Sequence, residues 1–155
     1  MRLARRVCAR VEHFADAFLV SALVVLLLAI SWQVFTRYVL GSPTRWAPEL
    51  ARYLVAWITM VGAAVAIRTE GHVAVTIFVD MLPAKWRKIA DTIRYSIAVI
   101  AAGFLGWYGY ELAVVGGGQR APGLGMSMTL PYLAVPVGCI AILFFFMARY
   151  VPKDD

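Results

Sequence analysis

The sequence predicts an all-α membrane protein. It would have four transmembrane helices, both termini cytoplasmic, and a short amphipathic surface helix between the second and third. Three observations predict this. Hydrophobic residues make up 62% of the 155-residue chain, at a mean hydropathy of +0.75, where a soluble domain is nearer half apolar. The excess is gathered in four blocks, approximately residues 14–36, 48–68, 92–115 and 130–148. Each, with its flanks, is long enough to cross a hydrocarbon layer of ~30 Å. The charges lie beside the blocks rather than inside them, so the net charge of +6 reads as membrane topology, not nucleic-acid binding. The connecting segments are short, which leaves a single membrane domain over 1–155.

The first ten residues carry Arg2, Arg5, Arg6 and Arg10 ahead of an apolar run. The run is too long for a signal peptide and lacks a small-residue cleavage site, so it reads as a retained first span. Trp32, Arg37 and Tyr38 mark its far interface. Gly41, Ser42 and Pro43 make a turn. The second span returns with Pro43 or Pro48 in its first turn, capped by Ser42 or Thr44. Gly62, Ala63 and Ala66 offer it a small-residue edge for close helix approach.

Between Gly71 and Pro83, the apolar residues Val73, Ile77, Phe78, Met81 and Leu82 fit a helix lying flat on the membrane. A strand there would lack a partner. The third span opens after Pro83 with Lys85, Arg87, Lys88 and Arg94, then continues apolar, with Ala98, Ala102 and Gly106 as a second close-packing edge. Residues 116–125 are glycine-rich. Pro131 stands near the start of the fourth span, and Pro136 is expected to kink it. Arg149 and Lys153 follow. One side of the membrane then holds 11 basic residues against 4 on the other (Arg37, Arg45, Arg52 and Arg120). By the positive-inside rule both termini and the middle connection are cytoplasmic.

No Asp, Glu, Lys, Arg or His falls near the middle of any span. Proteins that conduct ions or protons keep such groups deep in the bilayer, because only function justifies their cost. Nor are there paired broken helices of the transporter kind. The chain alone shows no pathway, which points to a supporting subunit. Glu49 stands four residues after Arg45 and three before Arg52, so all three can share a helix face. They form either an interfacial ion pair within the helix or a polar contact to a partner. His72 reads as a solvated interface residue, although with His13 on the same side a bis-histidine haem stays open. Cys8 and Cys139 have neither disulfide nor metal-site spacing. No nucleophile–base constellation supports an enzyme, and no cofactor or metal site is expected.

The stretch RYVLGSPTRWAPELARYLVAWITMVGAAVAIRTEGHVAVTIFVDMLP resembles the small permease subunit (DctQ type) of tripartite ATP-independent periplasmic (TRAP) transporters. The residues that carry the resemblance are Phe35, Arg37, Tyr38, Trp46, Glu49, Leu50, Arg52, Trp57, Gly62, Ala63, Arg68, Gly71 and His72. The later PYLAVPVG, residues 131–138, is similar to the family's fourth helix. Many relatives have two adjacent acids where this chain has Pro48 and Glu49. The resemblance implies a four-helix subunit of the bacterial inner membrane, bound to a large permease subunit that moves organic acids with sodium. A periplasmic substrate-binding protein would be the second partner, and the bilayer the medium. The implied role is a scaffold that also helps dock the binding protein, with Arg45, Trp46, Glu49, Arg52, Trp57, Arg68 and His72 as candidate partner-interface residues. Two other classes compete. One is the membrane anchor of a quinone-linked or haem-bearing dehydrogenase. The other is a small multidrug exporter, which would need a glutamate inside its first span that this chain lacks.

Overall fold

A computed structural model describes residues 2–68 and 84–148. The surface helix expected at 73–82, and His72 with it, lie outside the described residues. In chain order the helices are α1 (Arg2–Tyr38), α2 (Trp46–Arg68), α3 (Ala84–Val115), α4 (Thr129–Tyr132) and α5 (Ala134–Ala148), with one turn of 3₁₀ helix at Gly116–Gly118 after α3. Four stretches are long and apolar enough to cross a membrane: Ala9–Tyr38, Trp46–Ile67, Ser96–Gly118 and Thr129–Met147. The described residues contain no strand, only an isolated bridge between Arg120 and Ser127.

The helices stand in an open row rather than a closed bundle. Among the described residues, α1 packs on α2, α2 on α5, and α5 on α3. The row therefore reads α1–α2–α5–α3, with α1 and α3 at its edges. The chain alternates direction at each span, so the two central helices, α2 and α5, run parallel. One end of the row holds the α1–α2 turn, the start of α2, residues 116–128 and α4; it is called the loop end below. The opposite tail end holds the start of α1, the end of α2, the start of α3 and the end of α5.

The seams are built from small residues, as membrane helices require when lipid is as apolar as their own side chains. On α1, Ala15, Ala22, Ala29 and Thr36 are buried at an unbroken seven-residue interval, the repeat that keeps one face on a partner helix. Large aliphatic residues such as Val20, Leu27 and Leu28 are exposed on α1, where lipid solvates them. The α2–α5 seam buries Ala64 and Ala134 completely, and Gly138 lies so close that a Cβ there would stand 2.5 Å from the Cβ of Met60. Across the α3–α5 seam, a Cβ on Gly109 would meet Val135 at 2.7 Å and one on Gly106 would meet Cys139 at 3.3 Å. Phe145 is the one large side chain fully buried among the described residues.

One local expectation is corrected: neither Ser42 nor Thr44 caps α2. The Ser42 hydroxyl donates to the Leu40 carbonyl at 3.1 Å, and the Thr44 Oγ1 is buried without a hydrogen-bond partner. The fourth span carries a local discontinuity one turn before Pro136. It divides at Leu133 into α4 and α5, because Pro136 has no N–H to give the carbonyl four residues back, at Tyr132. Leu133 and Val137 still donate to Thr129 and Leu133, at 2.9 and 3.1 Å, so the chain keeps its direction through the break.

Candidate interaction site at the loop end

Residues 119–128 fold back as a compact hairpin over the ends of three helices. The Ala121 N–H donates to the Met126 carbonyl at 2.8 Å, Gly125 to Ala121 at 2.8 Å, and Met128 to Gln119 at 3.0 Å. Gly125 takes a φ of 67°, a left-handed conformation that glycine adopts without a Cβ penalty, and this closes the hairpin. Ala121 is buried beneath it. The Arg120 guanidinium donates to the Gly125 carbonyl at 3.5 Å, and the Ser127 hydroxyl pairs with that of Thr129 at 3.0 Å.

Glu49 fastens this hairpin to α2. Its Oε2 accepts from the backbone N–H groups of Gly123 at 2.8 Å and Leu124 at 2.9 Å. Charge-assisted bonds of this kind are about twice as strong as neutral ones, and two converge on one oxygen. Gly123 is glycine for a steric reason. A Cβ there would stand 2.6 Å from the Arg45 carbonyl oxygen and 2.7 Å from the Glu49 carboxylate. One turn along α2, the Tyr53 hydroxyl donates to the Met128 sulfur at 3.2 Å. The acid and the tyrosine, four residues apart on one helix face, thus hold the turn of the hairpin and its second arm.

Of the two readings of this cluster, the ion pair within the helix does not form: among the described residues, no salt bridge joins Glu49 to Arg45 or Arg52. The glutamate is half-buried and serves the loop, while both arginines are exposed. Trp46, the first residue of α2, is 37% exposed. Trp57 faces inward within the row, its ring edge-on to Phe18 of α1 at 6.2 Å and 70°. Arg68 ends α2 at the tail end, and His72 is outside the described residues, so the seven candidates do not form one surface. Arg45, Trp46, Glu49 and Arg52 gather at the loop end, where Arg120, Pro122 and Met126 are exposed beside them. Arg37, also at this end, lies 5.7 Å from the centre of the Tyr38 ring. Sequence reasoning missed the hairpin residues Arg120, Gly123 and Leu124 as parts of the site. The signal was there in principle: a lone acid at a helix start with no second acid beside it, and a glycine-rich segment elsewhere with backbone donors to offer.

The α3 edge carries a second surface. Ile100, Gly103, Phe104, Trp107 and Tyr108 line an open groove of about 520 Å³. The rings of Phe104 and Tyr108 are stacked, 6.4 Å apart, and the Trp107 indole donates to Glu111 at 3.2 Å. The described residues contain no group of three or more His, Cys, Asp or Glu able to hold a metal ion, and His13 is exposed on α1.

Comparison with known proteins places these features in context. Residues 26–153 match the family model for tripartite ATP-independent periplasmic transporters, DctQ component. The sialic acid TRAP transporter small permease protein SiaQ of Vibrio cholerae is 32% identical over 145 residues, which cover 93% of this chain and 82% of that protein. The C4-dicarboxylate small permease protein DctQ of the same organism is 24% identical, over 88% of this chain and 68% of that protein. The isethionate TRAP transporter permease protein DctMQ of Oleidesulfovibrio alaskensis is 26% identical over 81% of this chain, and the match spans 21% of that longer protein.

Proposed function

This chain belongs to the DctQ component family of tripartite ATP-independent periplasmic transporters, and from that premise we propose that it is the stationary scaffold for a large permease subunit and a docking surface for a periplasmic substrate-binding protein. The family makes it a multi-pass inner-membrane transporter subunit rather than an enzyme. Pairing with a large permease subunit is supported by relatives named as TRAP transporter permease proteins in which the part matching this chain is 21% and 13% of a longer chain. The transported substrate is an organic acid, by analogy with relatives named for sialic acid, C4-dicarboxylates and isethionate, and uptake is coupled to sodium as in the family. The loop end faces the periplasm and both termini face the cytoplasm, on the count of basic residues.

The observation that carries the scaffold reading is the open row. Four spans without an ionisable group at mid-depth offer no path for a solute, and a row with two edges that no described helix covers presents more side to a neighbour than a closed bundle of the same helices would. A moving permease needs such a fixed wall. The docking reading rests on the loop end, where a hairpin held by Glu49 stands beside the exposed Arg45, Arg52 and Arg120.

The test is co-purification of the tagged chain from its host in mild detergent, with mass spectrometry and an absorbance spectrum on one sample. Recovery of one large, colourless polytopic protein in about equal amount is the expected result. Recovery of a haem- or flavin-bearing enzyme would overturn the scaffold reading in favour of a dehydrogenase anchor. For the docking surface, Glu49→Ala and Arg52→Ala are expected to lower uptake by the assembled transporter while membrane insertion and large-subunit recovery stay normal. Normal uptake in both variants would remove the docking role.

A further inference from the structure

We propose that the large permease subunit docks on the outward face of α3, with one of its helices seated on the aromatic groove and a cationic or other N–H donor side chain meeting Glu111. The proposal rests on the scaffold reading and names the face of the row that serves it. Ile100, Gly103, Phe104, Trp107 and Tyr108 line the groove. Together with Glu111 they recur at intervals of three and four residues, a single stripe of the helix. At 100° per residue that stripe lies about 180° round the helix from Ala102, Gly109, Ala113 and Gly116, which α3 buries in the row. All six residues of the stripe are exposed.

Glu111 decides between lipid and protein as the cover. It is the one charged residue from Ser96 to Gly118, a stretch long and apolar enough to cross a membrane. Two residues away, the Cβ position of Gly109 meets Val135 and Pro136, which are six and seven residues past the start of the fourth span at Thr129. The acid therefore stands inside two adjoining spans, not above them. Nor does its side chain reach back toward the loop end. Helix α3 runs from the tail end to the loop end, and side chains lean toward a helix's N-terminus, so the carboxylate leans into the span. There its Oε1 accepts from the Trp107 indole at 3.2 Å, one turn deeper. A carboxylate at that depth is costly against lipid, and such groups face protein or water and pair there. The indole N–H fills one of about four acceptor positions on the two oxygens. The others call for donors from a neighbour.

The groove beside the acid suits a helix. A Cβ on Gly103 would meet nothing within 4 Å, so a partner backbone has room to come close, which is how helices dock in a membrane. Phe104, Trp107 and Tyr108, each 62–65% exposed, add rigid rings of the kind enriched at protein interfaces. The opposite edge of the row reads differently. Helix α1 has no charged residue from Ala17 to Thr36, and it exposes Val20, Leu27 and Leu28, aliphatic surface that needs no partner but lipid.

The experiment uses the full chain co-expressed with its large subunit. A photoreactive p-benzoylphenylalanine replaces Phe104 on α3 or, for comparison, Leu27 on α1, and membranes are irradiated before purification. The expected result is a covalent adduct with the large subunit from position 104 and none from position 27. In a second measurement, Glu111→Lys should cut recovery of the large subunit about fivefold or more, because a like charge then faces the partner's donor. Glu111→Gln, which keeps an acceptor oxygen, should lose less. The chain purified alone should unfold at an unchanged temperature in both variants, since the bonding partner of Glu111 is on its own helix. Adducts with the large subunit from position 27 alone would overturn the proposal, as would adducts from position 104 with lipid or with a second copy of this chain. Undiminished recovery with Glu111→Lys would overturn it too. An unaltered chain that recovers no large subunit would instead overturn the scaffold reading on which the proposal rests.

Discussion

The α1–α2 seam and the α2–α5 seam use the same small residues to opposite effect. Along α1, alanines at a seven-residue interval face α2, yet Gly62 of α2 has nothing closer to its Cβ position than Leu19 at 3.9 Å. That is ordinary van der Waals contact. Between α2 and α5, the Cβ position of Gly138 is 2.5 Å from the Cβ of Met60, a distance no real Cβ pair tolerates. In the first seam the small residues set a register. In the second they admit a backbone approach that nothing larger allows. The row is thus a tight core of α2, α5 and α3 with α1 laid against its side.

Substitution at the tight seam should produce the largest effect. Gly138→Ala must push α5 away from Met60, at a cost of about 1–3 kcal/mol for overpacking, visible as a lower unfolding temperature of the detergent-solubilised chain. An unchanged unfolding temperature would mean that the two seams are equivalent. A middle effect is expected at the clasp. Glu49→Ala strands the N–H groups of Gly123 and Leu124 and should cost about 1–3 kcal/mol, while Glu49→Gln, which keeps an acceptor oxygen, should lose less. Accelerated hydrogen exchange confined to residues 119–128 would check that the loss is local. The smallest effect has the opposite sign. Gly62→Ala introduces no contact under 3.9 Å and removes a glycine from a helix interior, so it should stabilise by up to about 1 kcal/mol. Destabilisation there would show the α1–α2 seam to be as close as its neighbour.

The four spans were legible from hydropathy alone, because a helix that crosses lipid must be apolar along its length whatever it packs against. The order of the row was not. Small residues occur on several faces: Gly62, Ala63 and Ala66, and Ala98, Ala102 and Gly106, stood out as edges, while Gly138 with Ala134 did not. Distance, not composition, separates them. The alanine repeat from Ala15 to Thr36 was hidden in a run where nearly every residue is apolar. Pro136 was readable as a disturbance of the fourth span, because a residue without an N–H must leave one carbonyl unpaired. Glu49 stood out as a lone acid at a span end, but pairing by charge and spacing pointed to Arg45 and Arg52. Its true partners are main-chain donors 74 and 75 residues away, and the glycine-rich stretch that holds them gave the hint of a donor loop without saying which acid it meets.

The central place of α5 sets the order in which the protein can be put together. Spans leave the ribosome in sequence, so α1 and α2 can pair as a hairpin while α3 is still being made. Among the described helices, α3 meets the rest of the row through α5 and α4, the last elements to emerge. Until they arrive, the third span lacks that seat. The final span is a keystone: its entry between α2 and α3 joins two halves already in the bilayer, and closing the hairpin over Glu49 locks the joint from the loop end.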